Sequence, residues 1–299
     1  MPTTAAPSPT STPLTDTTIV RRSHPEHYVT AVIVVAVLAW IGYALATNPK
    51  LQWGVFARYL FSPKILEGLW VTVQLSVLSM VIAVAVGFLM AGMRMSSNPV
   101  LRAVARGYVA FFRGLPLLVL LLVCFNLALF VPEFRLNLGI IDWSVATNEL
   151  ITGFSASIIG LALHESAFMA EIIRGGVLSV PEGQMEAALS VGMRRRTAMR
   201  KIVYPQTFRV IIPTVGNQFI MLLKASSMVA VIGGGDLLTN AQRIYGQNYA
   251  VIPLLIVVSF WYLVLVGLAT FAQSRLEAHL AQKRKGGARQ RSLTGEEGA

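Results

Sequence analysis

Four ionisable residues stand inside long apolar runs, where a charge is expensive: His164, Glu165, Glu171 and Lys224. A charged group at the centre of a bilayer costs about 2.5–3.5 kcal/mol on insertion scales, so each needs a partner or a purpose. Glu171 precedes Arg174 by three residues, which puts both on one helix face and reads as a local ion pair. Lys224 follows Asn217 by seven residues and shares a face with it, Met221 and Met228. That stripe suits a translocation pathway in which Lys224 attracts a carboxylate; alternatively Lys224 pairs with Glu165 and ties two helices together. Glu165 with Ser166 or His164 is a candidate contact for an ammonium group, while His164 alone reads as a hydrogen-bonded core residue. No His, Cys and carboxylate spacing suggests a metal site, and no Ser, His and Asp arrangement suggests hydrolysis. The chain has no GxxxxGK[ST] phosphate loop. Gly233-Gly234-Gly235 lacks the lysine and the preceding strand, and is expected to unwind the end of a helix instead.

The elements that carry these residues follow from composition. Hydrophobic residues make up 55% of the 299 and charged ones 13%, about half of what a soluble domain carries. The apolar residues form six blocks near the roughly 20 residues that cross a bilayer: Tyr28–Ala46, Leu69–Met93, Leu115–Val131, Ile151–Ile173, Val210–Ile232 and Val251–Ala272. The third is short and the fifth is interrupted by Lys224 and two amides. The fold class expected is therefore an all-α membrane protein with six transmembrane helices. The single cysteine, Cys124, lies inside the third block and reads as a small packing residue.

Net charge is +11, which invites a nucleic-acid reading until its distribution is considered. With the N-terminus placed in the cytoplasm, 19 of the 25 Lys and Arg fall on cytoplasmic segments and five on outer ones, with Lys224 inside a span. That asymmetry is the positive-inside rule. The basic charge is topological, and no nucleic-acid partner is expected. Residues 1–27, rich in Pro, Thr and Ser at their start, are expected to form a disordered cytoplasmic tail. Residues 28–64 form a first helix and an outer loop, the helix resembling an uncleaved signal anchor. Residues 276–299 form a basic cytoplasmic tail, unstructured after a short helical continuation. Trp53, Tyr59, Phe61, Trp143, Tyr245 and Tyr249 near the outer span ends read as interfacial anchors.

The longest cytoplasmic loop has helix signals of its own. Ser179, Pro181 and Glu182 read as a capping box and helix start. The helix runs through Gln184–Leu189 and stops near Gly192, which tolerates a left-handed cap. A basic helical run from Arg194 to Val203 follows, and Pro205 is expected to end it. Ala187 and Ala188 give one face small side chains that a partner surface can approach closely.

The spacing Glu186-Ala187-Ala188, three residues, Gly192, then Ile202 and Pro205 resembles the EAA loop of bacterial ABC importer permeases, with Tyr204 where leucine is usual. Phe112–Leu118, Ala170–Gly176, Ser179–Gln184, Gly216–Phe219 and Leu223-Lys224 resemble the polar amino acid branch (histidine, glutamine, glutamate and arginine) of that family. The likeness covers about residues 65–275, and residues 1–60 lie outside the usual five-span core. It implies a type I ABC importer permease domain over 65–275, preceded by one extra helix, with the coupling loop at about 179–205. It further implies a homodimer or a heterodimer with a related permease, a pair of ATP-binding-cassette ATPase subunits, an extracytoplasmic solute-binding protein and a polar amino acid substrate. This chain binds no cofactor on that reading; ATP and Mg belong to the partner ATPase. The location implied is the bacterial inner membrane, with both termini cytoplasmic. The coupling residues implied are Glu186, Ala187, Ala188, Gly192, Ile202 and Pro205. The substrate-pathway candidates remain His164, Glu165, Ser166, Asn217, Met221 and Lys224. Alternatives are an ABC permease for another small solute and an ion-coupled secondary transporter.

Overall fold

A computed structural model describes residues 25–137 and 142–295. The expected disordered tail falls almost wholly outside the described residues, as do the side chains of Trp143 and of residues 281–295. The chain divides into two units at Pro49/Lys50. The first holds α1 (Pro25–Thr47), whose 19 residues Val29–Thr47 are apolar enough and long enough to cross a membrane.

The second unit is built on α3 (Pro63–Arg94) and α7 (Gly153–Leu178), which pack along much of their lengths. No hydrophobic effect separates helices from lipid tails, so close backbone approach through small residues is the means of association. Gly87 is where that approach is tightest: a Cβ built there would lie 2.5 Å from the Cβ of Met169 and 3.1 Å from the Ala170 nitrogen. Around this pair stand α4 (Pro99–Gly114), α5 (Leu117–Phe125), α10 (Tyr204–Ala225) and a 3-10 turn, Ser226–Ile232. Leu75, Leu121, Leu161, Met169 and Val229 fill the core between them. Cys124 is buried in the same cluster, as a packing residue should be. A second cluster joins the start of α3 to α11 (Leu237–Asn248) and α12 (Val251–Gly295) through Ile65, Leu237, Leu254 and Val257. The short α2 (Trp53–Leu60) packs on α12, where Phe61 meets Trp261 edge to face and the Trp261 indole donates to the Leu60 carbonyl at 2.8 Å. Thr72 links the two clusters: its hydroxyl accepts the Leu237 amide at 3.0 Å and donates to the Gly68 carbonyl.

Among the described residues five helices can span a membrane by length and composition, or six if the bent pair α4 and α5 counts as one span. The bent pair replaces the straight third span expected at Leu115–Val131. α5 has nine residues, about 13 Å, far short of the roughly 30 Å hydrocarbon layer. It meets α4 at 102°, because Leu115 is pushed to extended backbone before Pro116 and cannot continue the helix. An antiparallel hairpin, β1 (Glu133–Asn137) and β2 (Asp142–Ala146), and the short α6 (Thr147–Leu150) follow. The hydropathy pattern gave no sign of that hairpin. The basic tail also differs from expectation: α12 stays helical to Gly295, consistent with its Ala, Gln, Lys and Arg content.

Candidate functional site

The loop after α7 forms a compact knob. α8 (Glu182–Ser190) is followed by α9 (Arg195–Ala198) and a π turn, Met199–Val203, that leads into α10. Gly192 stands just past the end of α8 at φ +80°, the left-handed region. Its amide donates to the Leu189 carbonyl at 2.9 Å, and the Met193 amide donates to the Ala188 carbonyl at 3.1 Å. This is a Schellman cap, which satisfies the open carbonyls at the helix end. The helix start differs from the expected capping box. Ser179 caps the end of α7, donating to the Gly176 carbonyl, and Pro181 precedes α8 with no side-chain cap. Only Val180 separates the two caps, so Ser179 cannot serve both.

Pro205 does not end the basic run either. The Tyr204 amide reaches back to the Met199 carbonyl, so the ladder widens by one residue ahead of the proline and the helix passes through. A π turn accommodates a ring that would otherwise strike the preceding turn. Ala187 and Ala188 separate in role. Ala188 is buried, with α8 laid on α9 and the π turn, whereas Ala187 and Glu186 face outward. The smallness of Ala188 therefore serves the knob's own packing. Ile202 is half-buried and Pro205 exposed. At the tip Leu189 is 43% exposed and Val191 77%, apolar area that none of the described residues covers. The base is tight, since Gly176 of α7 lies directly against Ile211 of α10.

Within the spans the pathway candidates sit in separate environments. Ser166 faces α4, where it and the Tyr108 hydroxyl share a 2.7 Å hydrogen bond, while the half-buried His164 ring packs 5.2 Å from Phe168 of its own helix and keeps its Nδ1 without a partner among the described residues. Glu165 is buried and turns instead to Gln218 of α10, with one carboxylate oxygen unsatisfied. Asn217, Met221 and Lys224 form an exposed stripe along α10, continued by Met228. Among the described residues Glu165 and Lys224 make no ion pair, so the alternative in which they tie two helices together finds no support in this geometry. Glu171 does pair with Arg174, at 2.9 Å, and also with Arg94 of α3, with Arg113 of α4 at 4.0 Å. Tyr108 and Gln218 stand beside these candidates and were not among them; Gln218 was signalled as an amide inside an apolar block and as part of Gly216–Phe219, and Tyr108 not at all. Gly233, at φ +68°, closes the 3-10 turn at the end of the fifth span. Among the described residues no cluster of His, Cys, Asp and Glu is able to hold a metal ion.

Residues 83–282 match the family of binding-protein-dependent transport system inner membrane components. The arginine transport system permease protein ArgU of Corynebacterium glutamicum is 37% identical over 257 residues, 86% of this chain and 80% of that protein. A probable glutamine ABC transporter permease protein of Bacillus subtilis, GlnM, is 34% identical over 78% of this chain and 98% of its own length. Among solved structures, an amino acid ABC transporter with histidines superposes with a TM-score of 0.64 at 35% identity, over 73% of this chain and 95% of that one. With a family match across two thirds of its length and relatives this similar, the chain belongs to the inner membrane components of binding-protein-dependent transport systems, the multi-pass permease subunits of ABC transporters, whose ATP hydrolysis is carried out by separate subunits.

Proposed function

We propose that this chain is the membrane-spanning subunit of an importer that carries a polar amino acid inward by alternating access. The observation that carries this reading is the knob at Glu182–Val203, whose Schellman-capped α8 and following turn present Glu186, Leu189 and Val191 outward. An apolar tip of this kind beside a basic loop suits docking into a groove on an ATPase subunit. Closure of two such ATPases on ATP then moves the spans joined to the knob, α7 and α10, as a unit. Both termini are cytoplasmic on this reading. The permease works as a dimer, with a solute-binding protein delivering substrate on the outer side.

The names of the relatives favour an amino acid with a polar or cationic side chain. On this reading the buried, unsatisfied oxygen of Glu165 compensates a positive group, and Lys224, exposed on α10, attracts a carboxylate. The test is uptake into vesicles holding the permease, its ATPase partner and internal ATP, with the binding protein outside and a panel of amino acids supplied. Uptake of arginine, histidine or glutamine that needs hydrolysable ATP and survives an uncoupler supports the reading. Uptake abolished by the uncoupler while ATP is held constant favours an ion-coupled carrier instead.

A further inference from the structure

Transport by the knob leaves the arginines at the inner ends of α3, α4 and α7 unexplained. Arg94, Arg106 and Arg113 line a cavity of about 400 Å³ together with Phe168 and Glu171. Arg174 stands close enough for Arg94 to feel its charge as well as those of Arg106 and Arg113. Four guanidiniums thus stand around one carboxylate, and only three of them reach it. Glu171 is taken up by Arg94 and Arg174, and Arg113 reaches it only at 4.0 Å while stacking 5.1 Å over the Phe168 ring. Arg106, exposed at the cavity rim, pairs with no acid among the described residues. Mutual repulsion in a partly desolvated site is unfavourable unless an anion relieves it.

α4 also indicates where that anion comes from. Arg102, Arg106 and Arg113 recur at four and seven residues along one side of the helix. Val100, Val104 and Phe111, with the same spacing on the other side, are 66%, 55% and 59% exposed. A helix that divides its basic and apolar residues in this way suits the boundary between headgroups and acyl chains. Arginine also takes a phosphate in a planar, two-pronged fashion that a free lysine does not.

We propose that the Arg94–Arg106–Arg113 cavity binds the phosphate headgroup of an anionic phospholipid of the inner leaflet. The bound headgroup neutralises the cluster and staples α4 to α3 and α7 at the end from which the knob is moved. This goes beyond the transport reading and is independent of which solute is carried.

The experiment is native mass spectrometry of the full-length chain in detergent, titrated separately with phosphatidylglycerol and phosphatidylcholine. Wild type is expected to retain phosphatidylglycerol preferentially. Arg106→Gln is expected to weaken that retention about fivefold, as about 1 kcal/mol per basic residue near an anionic surface implies. Arg106→Lys, which keeps the charge but not the two-pronged geometry, is expected to fall between wild type and Arg106→Gln, and Arg243→Gln, remote from the cavity in sequence and on another helix, to change nothing. Millimolar inorganic phosphate is expected not to displace the lipid. Equal retention of the two lipids by wild type overturns the proposal, as does retention unchanged in Arg106→Gln. Displacement by inorganic phosphate overturns the lipid assignment. Should Arg106→Gln fail to fold, the wild-type comparison of the two lipids still decides. The readout needs neither ATPase nor solute, so its failure is distinct from failure of the transport reading.

Discussion

Replacing Gly192 separates a backbone role from a contact role in the knob. A Cβ placed there meets nothing within 4 Å, so the strain of a side chain comes from φ +80° alone. An L-residue in the left-handed region costs about 1–2 kcal/mol, with Asn the cheapest and β-branched residues the worst. Relieving the strain means rotating out of the cap and giving up the amide bonds to Leu189 and Ala188, so the end of α8 frays. About 1.4 kcal/mol is a tenfold change in the ratio of capped to frayed knob. Coupled transport in vesicles with the ATPase partner should therefore fall in the order Gly, Asn, Ala, Val, with Asn near wild type and Val down about tenfold or more. Asn is larger than Ala, so this order is opposite to the one a steric clash with a partner would give. Ala outperforming Asn, or Val transporting as well as wild type, would refute the backbone argument.

Other positions give sharper structural tests. Glu171→Gln removes the one acid among four arginines, and thermal unfolding in detergent should show a loss of about 2 kcal/mol or more, whereas Arg94→Gln, which leaves Arg174 on the carboxylate, should cost less. Thr72→Val keeps the shape but leaves the Leu237 amide buried without an acceptor; a loss of about 1–3 kcal/mol is expected, with Thr72→Ser close to wild type. At Gly87, alanine should cost about 1–3 kcal/mol by overpacking against Met169, and leucine should abolish the folded peak in size-exclusion chromatography; a leucine variant of normal yield would mean that α3 and α7 do not meet there.

What the sequence disclosed and what it hid have physical causes. Long apolar helices announce themselves because each must cover the hydrocarbon layer in one pass, so α3 and α7 were legible, although α3 begins at Pro63 rather than Leu69 and α7 runs on to Leu178 rather than Ile173. Gly192 was legible because only glycine fits a left-handed cap cheaply, and Glu171 with Arg174 because i and i+3 side chains meet on any helix. Ser179 was misassigned because a serine before a proline signals a helix start, while the previous helix was still using it. Pro205 was misread because a π turn, which has no residue signature, absorbs the ring. His164, Glu165 and Ser166 looked like one site in sequence, yet successive helix residues point about 100° apart, and they face different neighbours. Tyr108 and Gln218 came to light only through tertiary packing, since neither spacing nor charge links them to α7.

The central claim is that the tip of α8 seats in an ATP-hydrolysing partner, and site-specific photo-cross-linking from that tip is the direct measurement. A photoreactive residue at Leu189 or Val191, in transporter assembled with its ATPase, is predicted to give a covalent product with the ATPase subunit, while one at Tyr249, exposed at the other end of the spans, gives none. Absence of the ATPase product from both tip positions in transporter that still imports its substrate, or its appearance from Tyr249, would contradict the account.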